Sequence, residues 1–321
     1  MNKLIQSGLN FILKQFDLVL CEREQEWERE AFARLYESQI TKEEISYLYP
    51  TEGIVFSKDR ALQLHALSSS YLENVISPAP LHILCCVSTP LHQKAYDKVM
   101  EIFSGIFSFT RQSSDASFKD DLVKLLESLH AQKVFFLVDD ILVIEKIDIR
   151  DFALLDTDKT VPSLRMGLNL KKCYTVQKEQ PLPELMPSHD INDDKIFWKW
   201  DHGLYDWSYP LSVDGHLFST QEITTMTKLI NFSAPNTYED QLQKFRRFFA
   251  IRTGVGYKKS KIVNIPCNKV QKVNKNIHGS IHQDYLLDKW MNGYQMDFRS
   301  LYGFQNVSVH QEIPFEFIKG Y

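Results

Sequence analysis

Hydrophobic and polar positions alternate along the chain in a way that predicts strands and helices in turn after residue 50. Short apolar runs at Gly53–Phe56, Leu81–Val87 and Val134–Val138 have the length and the β-branched and aromatic content of buried strands. Between these runs, apolar residues recur at helical spacing and predict the helices Ala61–Asn74, Gln93–Phe103 and Phe118–Leu129. A further short strand is predicted at Phe107–Thr110. This order predicts a parallel sheet with right-handed crossovers.

The flanking segments have different patterns. Residues 3–20 place apolar side chains on one helical face, which predicts a helix that lies on a membrane surface or packs on its own domain or on a partner. A helix to Ser38 and a short one at Thr41–Leu48 follow. After the α/β region, Phe152–Leu155 is predicted as a strand and the proline-rich residues 177–195 as a loop. The helices predicted beyond it are Thr220–Asn231, Tyr238–Phe249 and Asp284–Gly293.

Composition places the chain among ordinary globular proteins. Of 321 residues, 44% are hydrophobic and 24% are charged, and the net charge of −4 argues against a general nucleic-acid binder. Five cysteines without a CxxC pair favour a reducing compartment and no thiolate metal site. No apolar run reaches the roughly 18–20 residues of a membrane-spanning helix, and no signal peptide is evident. We therefore expect a cytoplasmic protein, peripheral to the membrane if residues 3–20 bind lipid.

The strongest candidate for chemistry is the end of the Val134–Val138 run, where two acids, Asp139 and Asp140, follow directly. Ligands of open α/β sheets bind outside the carboxyl ends of the strands. Two carboxylates at such an edge suit a divalent metal ion that carries phosphates. The alternative is a solvated strand end with no function.

Together with these acids, further segments resemble nucleotide-sugar-dependent glycosyltransferases of the GT-A fold, most like bacterial family 2 members. They cover about residues 50–310 in the order of that family. The matching segments are Ser57-Lys-Asp59-Arg60 with its Leu-rich helix, Phe118-Lys-Asp-Asp-Leu-Val-Lys-Leu-Leu, Phe-Leu-Val-Asp139-Asp140, Ser163-Leu-Arg-Met-Gly-Leu-Asn169 and Trp207-Ser-Tyr-Pro-Leu-Ser-Val-Asp214-Gly-His216. The acidic motif is Asp-Asp and not the common Asp-x-Asp, so the carboxylate that meets the metal stays open.

The resemblance implies a GT-A type, Rossmann-like, mostly parallel sheet flanked by helices, with an N-terminal helical extension. Residues 1–50 would form the extension, 51–160 the nucleotide-sugar-binding half, and 161–321 the acceptor-binding and C-terminal half of the same domain. Mn²⁺ or Mg²⁺ would bind Asp140, with Asp139 on the ribose or the metal and His310 as a further ligand. The expected donor-binding residues are Ser57, Asp59, Arg60, Asp139 and Arg165. For Asp59 and Arg60 the alternative is a surface ion pair.

Transfer with inversion needs a carboxylate that takes the proton of the acceptor hydroxyl. Asp214 is the first candidate and Asp206 the second, although an Asp-Gly pair is also a common turn signal. The aromatic cluster at residues 197–209, which contains Asp206, could stack on sugar faces or pack in a core. The expected acceptor-binding residues are Trp200, Trp207, Tyr209 and His216. Six lysines within residues 258–275 are either solvated or close to the diphosphate or a phosphorylated lipid acceptor.

The expected function is transfer of a sugar from a nucleotide diphosphate to a glycan or lipid-linked acceptor, as in polysaccharide, capsule or lipopolysaccharide synthesis. One alternative is a haloacid-dehalogenase-like phosphatase, because Phe152–Leu155 precedes Asp156-Thr-Asp158-Lys-Thr160. Another is a non-catalytic scaffold that binds glycan or a partner. The absence of GxGxxG, of a P-loop and of a Gly-rich loop after the first strand argues against dinucleotide binding, P-loop chemistry and sugar nucleotidyl transfer.

Overall fold

The computed structural model describes residues 24–37, 49–113, 115–187, 194–267 and 281–320. The predicted helices over 3–20 and Thr41–Leu48, and half of the lysine-rich segment, lie outside these ranges. The strands are β1 (Tyr49–Lys58), β2 (Val75–Ile76), β3 (Leu81–Cys86), β4 (Ser108–Arg111), β5 (Ala131–Val138), β6 (Ile141–Val143), β7 (Ile147–Asp148), β8 (Thr160–Gly167), β9 (Lys172–Cys173), β10 (Lys178–Glu179), β11 (Leu185–Met186), β12 (Lys195–Lys199), β13 (Leu217–Ser219), β14 (Thr253–Tyr257), β15 (Ile262–Asn264), β16 (Tyr294–Met296) and β17 (Phe317–Lys319).

The helices separate the strands as the hydrophobic pattern predicts. They are α1 (residues 24–37), α2 (Ala61–Asn74), α3 (Pro90–Ile102), α4 (Phe118–Ser128), α5 (Ile149–Ala153), α6 (Thr220–Leu229), α7 (Pro235–Leu242), α8 (Arg246–Ala250) and α9 (Gln283–Met291). Single 3₁₀ turns are formed by Trp200–His202, Tyr205–Ser208, Gln243–Phe245 and Phe298–Leu301. Within the described ranges, no helix is both long and apolar enough to cross a membrane.

A five-stranded sheet with the order β13-β5-β1-β3-β4 forms the centre of the fold. The four strands from β5 to β4 are parallel, as predicted, while β13 pairs with β5 in the antiparallel direction. The mixed α/β class with a mostly parallel sheet is therefore confirmed. A second sheet, β11-β12-β14-β8, and the antiparallel pair β15-β6 adjoin it.

Strand β5 is buried on both faces, which explains its continuous apolar sequence. Phe135 and Leu137 belong to the core cluster that includes α2 and α3, and Val134 and Phe136 belong to the cluster that includes α4 and α6. The helices begin at clear sequence signals. Helix α4 has a capping box in which Ser117 and Asp120 exchange hydrogen bonds, and α3 begins with Thr89 as N-cap and a proline in its first turn.

Three predicted elements are wrong. Residues 177–195, predicted as a loop, contain the short strands β10 and β11, and β12 begins at Lys195. Phe152 does not lie in a strand: it lies in α5, where Ile149 and Phe152 share a buried helical face and Asp148 accepts a hydrogen bond from the Arg150 amide. The single helix predicted over 238–249 is instead α7, a 3₁₀ turn and α8. At Phe152 the apolar residues alone could not fix the type of element, because a short buried run fits a strand and a helix equally well. Over 238–249 the helical type was right, and the error was the unbroken length of the helix.

Candidate functional site

The carboxyl ends of β1 and β5 bring together three of the predicted donor-binding residues, Ser57, Arg60 and Asp139. The two strands are parallel neighbours, with Phe56 opposite Val138, so both chains leave the sheet at one edge. The Asp139 amide donates to the Phe56 carbonyl across a distance of 3.1 Å. Because of this register, Ser57 and Arg60 meet the two acids that follow β5.

The Asp139 carboxylate is buried and is held by three donors. Its Oδ2 atom accepts hydrogen bonds from Ser57 Oγ and from the Lys58 amide, both at 3.0 Å. Its Oδ1 atom lies 3.0 Å from Arg60 Nη1. Tyr96 completes this side, because its hydroxyl lies 2.5 Å from Ser57 Oγ and accepts a hydrogen bond from the Arg60 amide.

The Asp140 carboxylate has a different pair of donors. Arg60 Nη1 lies 2.7 Å from its Oδ2 atom, and Asn264 Nδ2 donates to its Oδ1 atom at 2.9 Å. Asn264 reaches this position because β15 pairs with β6, which begins directly after Asp140. The other atom of that amide, Asn264 Oδ1, is buried and has no hydrogen-bond partner within the described chain.

Electrostatics at this edge favour a bound cation. Burial raises the pKa of Asp139 to about 6; Arg60 opposes this increase, and the nearby Asp140 charge adds to it. Burial by itself would lower the pKa of Arg60, but the attraction of Asp140 and Asp139 outweighs burial and raises that pKa further. Two buried carboxylates and one guanidinium leave a net negative charge that a further cation would relieve.

The arrangement fits a divalent metal ion on two observations. Arg60 Nη1 already stands as a cationic atom between an oxygen of Asp139 and an oxygen of Asp140. The unpaired Asn264 Oδ1 supplies an additional oxygen of the kind that Mg²⁺ and Mn²⁺ prefer. Among the described residues, no group of three or more His, Cys, Asp or Glu could hold an ion by itself. Mg²⁺ is often held by one or two carboxylates and completed by substrate phosphates and water, which suits this site.

A second polar cluster surrounds Asp214. Arg165 Nη1 and His310 Nε2 lie 3.4 Å and 3.1 Å from Asp214 Oδ2, and Arg165 Nη2 lies 3.5 Å from Asp206 Oδ1. The turn predicted from the Asp-Gly pair is present, because Gly215 has a φ of 75°, a conformation that glycine adopts without strain. Both sequence-predicted base candidates therefore face the same buried arginine.

The charges of this cluster shift its pKa values in opposite directions. Burial would raise the pKa of Asp214, but the hydrogen bond and charge of His310, and then Arg165, outweigh it and lower that pKa. Burial would lower the pKa of His310, but Asp214 outweighs it and raises that pKa. The half-buried Glu239 accepts a hydrogen bond from the Val213 amide at 3.3 Å, and burial followed by the Asp214 charge raises its pKa to about 7.

Replacing Glu239 by Gln is expected to change how stability depends on pH. Because the folded-state pKa of about 7 lies above the ordinary 4.5, the folded protein holds this proton more tightly than the unfolded chain. Glu239 therefore lowers stability progressively as pH rises through that window. The neutral Gln does not titrate and so does not cause this loss. The melting temperature of Glu239→Gln should therefore rise progressively above that of the wild type as the pH increases from about 5 to about 8. Exposed Glu184→Gln is the control, and parallel curves for Glu239→Gln and wild type would contradict the shift.

The two clusters are joined through β15 and the segment around residue 310. The Asn264 amide donates to the Val309 carbonyl at 3.0 Å, and the Gln311 amide donates to the Asn264 carbonyl at 2.9 Å. Asn264 therefore binds Asp140 with its side chain and holds His310 in register with its backbone. His310, which the sequence analysis expects on the metal, contacts the Asp214 carboxylate through Nε2.

The structure corrects three predicted acceptor-binding residues. Trp200, Trp207 and His216 have no exposed surface and pack in the core, so their rings offer no face to a sugar. Burial, and then the Arg165 charge, lower the pKa of His216 to about 3, which keeps it neutral. Trp198 packs edge-on against both tryptophans at centroid distances of 4.8 and 5.0 Å. Of the four candidates, Tyr209 alone is partly exposed.

Other predicted residues have partners that the sequence did not indicate. The Asp59 carboxylate accepts hydrogen bonds from the Ser88 amide at 2.8 Å and from the Ser88 hydroxyl at 2.6 Å, so it fastens β1 to the end of β3. Arg165 is buried and faces acids, as described above. Of the lysines at 258, 259 and 261, the first two are exposed, while Lys261 is buried and lies 3.3 Å from Asp194. Lysines 269, 272 and 275 lie outside the described residues.

The phosphatase alternative does not agree with the fold. Its first motif requires a strand that ends in Asp156, but α5 precedes this residue, and the Asp156 carboxylate accepts a hydrogen bond from the Asp158 amide within a turn.

Sequence reasoning also missed Tyr96, Asn264 and Glu239. None stands in a motif, and only pairing between distant segments brings them to the site.

Comparison with solved structures finds nucleotidyl and glycosyl transferases among the similar folds. S. aureus TarS 1–349 in complex with UDP-GlcNAc matches 75% of this chain and 71% of its own at 13% identity and a TM-score of 0.45. A nucleotidyl transferase from Methanothermobacter matches 65% and 88% at 10% identity and a TM-score of 0.39. The WbbM bifunctional glycosyltransferase matches 63% and 38% at 12% identity and a TM-score of 0.36. No known family model and no curated protein sequence matches the chain.

Proposed function

We propose that the chain is a glycosyltransferase that moves a sugar from a nucleotide diphosphate to a hydroxyl of a glycan or lipid-linked acceptor. The donor would bind at the edge formed by Ser57, Arg60, Asp139 and Asp140. Transfer would proceed with inversion and would take place at the cytoplasmic face of a membrane or in the cytoplasm.

The observation that carries the proposal is the pair of buried carboxylates at the carboxyl edge of the parallel sheet. Asp139 and Asp140 share one cationic nitrogen at 3.0 and 2.7 Å. Burial of two adjacent acids on a strand end weakens packing and is costly without a cation. Such a site could hold a cation that stabilises a strongly anionic leaving group bound at the sheet edge.

Asp139 and Asp140, with Asn264 Oδ1, would hold a divalent ion. Bound there, Mn²⁺ or Mg²⁺ would act as a Lewis acid that stabilises the charge of the departing nucleotide diphosphate. Ser57, the Lys58 amide and Asn264 fix the orientation of the two carboxylates. The arginine supplies additional positive charge for phosphate.

Asp214 is the residue that would take the acceptor proton. His310 and Arg165 hold its carboxylate in one orientation and keep it ionised, as a general base must be before the reaction. Its link to the donor edge runs through Asn264, which contacts Asp140 and pairs with the strand segment that carries His310. Glu239 accepts a hydrogen bond from the Val213 amide beside Asp214 and would be a second carboxyl group able to exchange a proton with this cluster.

The direct test is calorimetric titration with UDP, GDP, CMP and dTDP, each with and without Mn²⁺. One nucleotide should bind in a metal-dependent manner, and Asp140→Asn should weaken that binding by about 10- to 100-fold, since a charged ligand of the ion becomes neutral. The exposed Asp151→Asn variant controls for loss of charge as such.

Two results would contradict this assignment. Equal nucleotide affinity in Asp140→Asn and wild type would remove Asp140 from the donor site. Failure of every nucleotide to bind the wild type would favour the scaffold function, for which binding of glycans without turnover is the expected behaviour.

A further inference from the structure

The Arg60 side chain bridges the two strand-end acids with a single nitrogen atom. Nη1 contacts Asp139 and Asp140 at 3.0 and 2.7 Å, and only 11% of the Arg60 side chain is exposed. One cationic atom within reach of an oxygen from each carboxylate stands where an ion bound by both acids would stand. Arg60 and such an ion would therefore compete for the same two oxygens.

We propose that Arg60 is a displaceable internal cation, which occupies the metal position in the free protein and leaves it when the ion enters with the nucleotide diphosphate. The inference rests on the proposed donor site and adds a role that the arginine has before the donor binds. It predicts that metal and nucleotide bind together and that metal alone binds weakly.

Charge explains why the exchange favours donor binding. With Arg60 between them, the two carboxylates retain a net negative charge, which repels an approaching diphosphate at close range in a partly buried site. With a divalent ion in that place the carboxylates are neutralised. The released guanidinium is then available to pair with phosphate oxygens, for which its fork of donors is well suited.

The local structure allows the side chain to move without disturbing the acids. The backbone of Arg60 is fixed at the start of α2, where its amide donates to Tyr96 at 3.1 Å and its carbonyl accepts from the Leu64 amide at 2.9 Å. Asp139 keeps Ser57 Oγ and the Lys58 amide as donors, and Asp140 keeps Asn264. The carboxylates therefore keep these donors when the guanidinium turns, and they stay oriented for the ion.

The test is Mn²⁺ binding to the nucleotide-free protein, followed by the electron paramagnetic resonance signal of unbound Mn²⁺. Arg60→Gln removes the competing charge and should bind Mn²⁺ at least about tenfold more tightly than the wild type. Arg111→Gln, which removes an exposed arginine paired with Asp97, should bind like the wild type. The double variant Arg60→Gln/Asp140→Asn should lose the gain, which locates the ion on Asp140.

Unchanged Mn²⁺ affinity in folded Arg60→Gln would overturn the proposal. If Arg60→Gln does not fold, Arg60→Lys provides the same comparison, because a compact ammonium on a shorter reach bridges both acids less well and should yield intermediate affinity. Equal affinity of Arg60→Lys and wild type would also overturn it. A gain of Mn²⁺ affinity without nucleotide binding would support the internal cation and refute the donor site. Metal-dependent nucleotide binding together with unchanged Mn²⁺ affinity in Arg60→Gln would support the donor site and refute the internal cation.

Discussion

Asp214→Asn is expected to reduce the rate of sugar transfer by about 10²- to 10⁴-fold, the usual contribution of a positioned general base. The amide keeps the size and most hydrogen bonds of the carboxylate but cannot accept the proton of the acceptor. Donor binding should be unchanged, since Asp214 is bound by His310 and Arg165 and not by the donor-edge residues. The measurement is kcat for transfer together with calorimetric nucleotide affinity.

Asp206→Asn is the matched comparison for this prediction. It removes a buried carboxylate that faces the same guanidinium, with Arg165 Nη2 at 3.5 Å, whereas the ion pair with His310 is made by Asp214. A large loss of kcat in Asp214→Asn but not in Asp206→Asn would identify Asp214 as the residue that takes the proton of the acceptor hydroxyl. A full rate in Asp214→Asn with normal donor binding would refute the assignment, and equal losses in both variants would attribute the effect to Arg165.

Arg252→Ala is expected to lower the free energy of unfolding by about 3–5 kcal/mol, because it breaks a buried ion pair in which the arginine binds the Glu222 carboxylate through two nitrogens. Arg252 binds Glu222 through two nitrogens at 2.9 and 2.5 Å and donates to the Thr157 carbonyl at 2.8 Å. The ion-paired side chains are only 8% and 4% exposed. Because total stability is about 5–15 kcal/mol, this loss is large. Urea denaturation followed by circular dichroism measures it.

Two further variants test the cause of that loss. Arg111→Ala removes an arginine that lies 2.6 Å from Asp97 with both side chains half exposed, so its effect should be about 0–1 kcal/mol. The double variant Arg252→Met/Glu222→Leu should recover much of the loss, because no buried charge remains. Similar effects of Arg252→Ala and Arg111→Ala would show that the buried pair contributes no more than a surface pair.

The first half of the fold could be predicted because its signals are local. The continuous apolar run of β5 shows a strand buried on both faces, and the alternation of strands and helical spacing shows parallel crossovers. Parallel strands place Ser57 and Asp139 at the same edge of the sheet, and the pairing of β1 with β5, with Phe56 opposite Val138, makes them neighbours. Arg60 was placed at the same edge by the same reasoning.

The rest depended on contacts between distant segments. Asn264 binds Asp140 from 124 residues away, and this pairing follows from the β6-β15 ribbon, which no motif signals. The tryptophans at 200 and 207 could have lined a sugar site or a core, and only packing against Trp198 decided for the core. A sugar-binding surface and a protein core can both be rich in aromatic residues, so the sequence of this segment does not distinguish them.

The sequence by itself determined the α/β class, the central strand and the two acids at its end, because hydrophobic periodicity and strand direction are properties of short stretches of chain. Only the tertiary structure decided that Arg60 stands between those acids, that His310 and Arg165 hold Asp214, and that Glu239 joins them. Each of these contacts depends on the position of a side chain relative to a segment far away in sequence. Their charges act over a few ångströms, so the positions must be known before the chemistry can be argued.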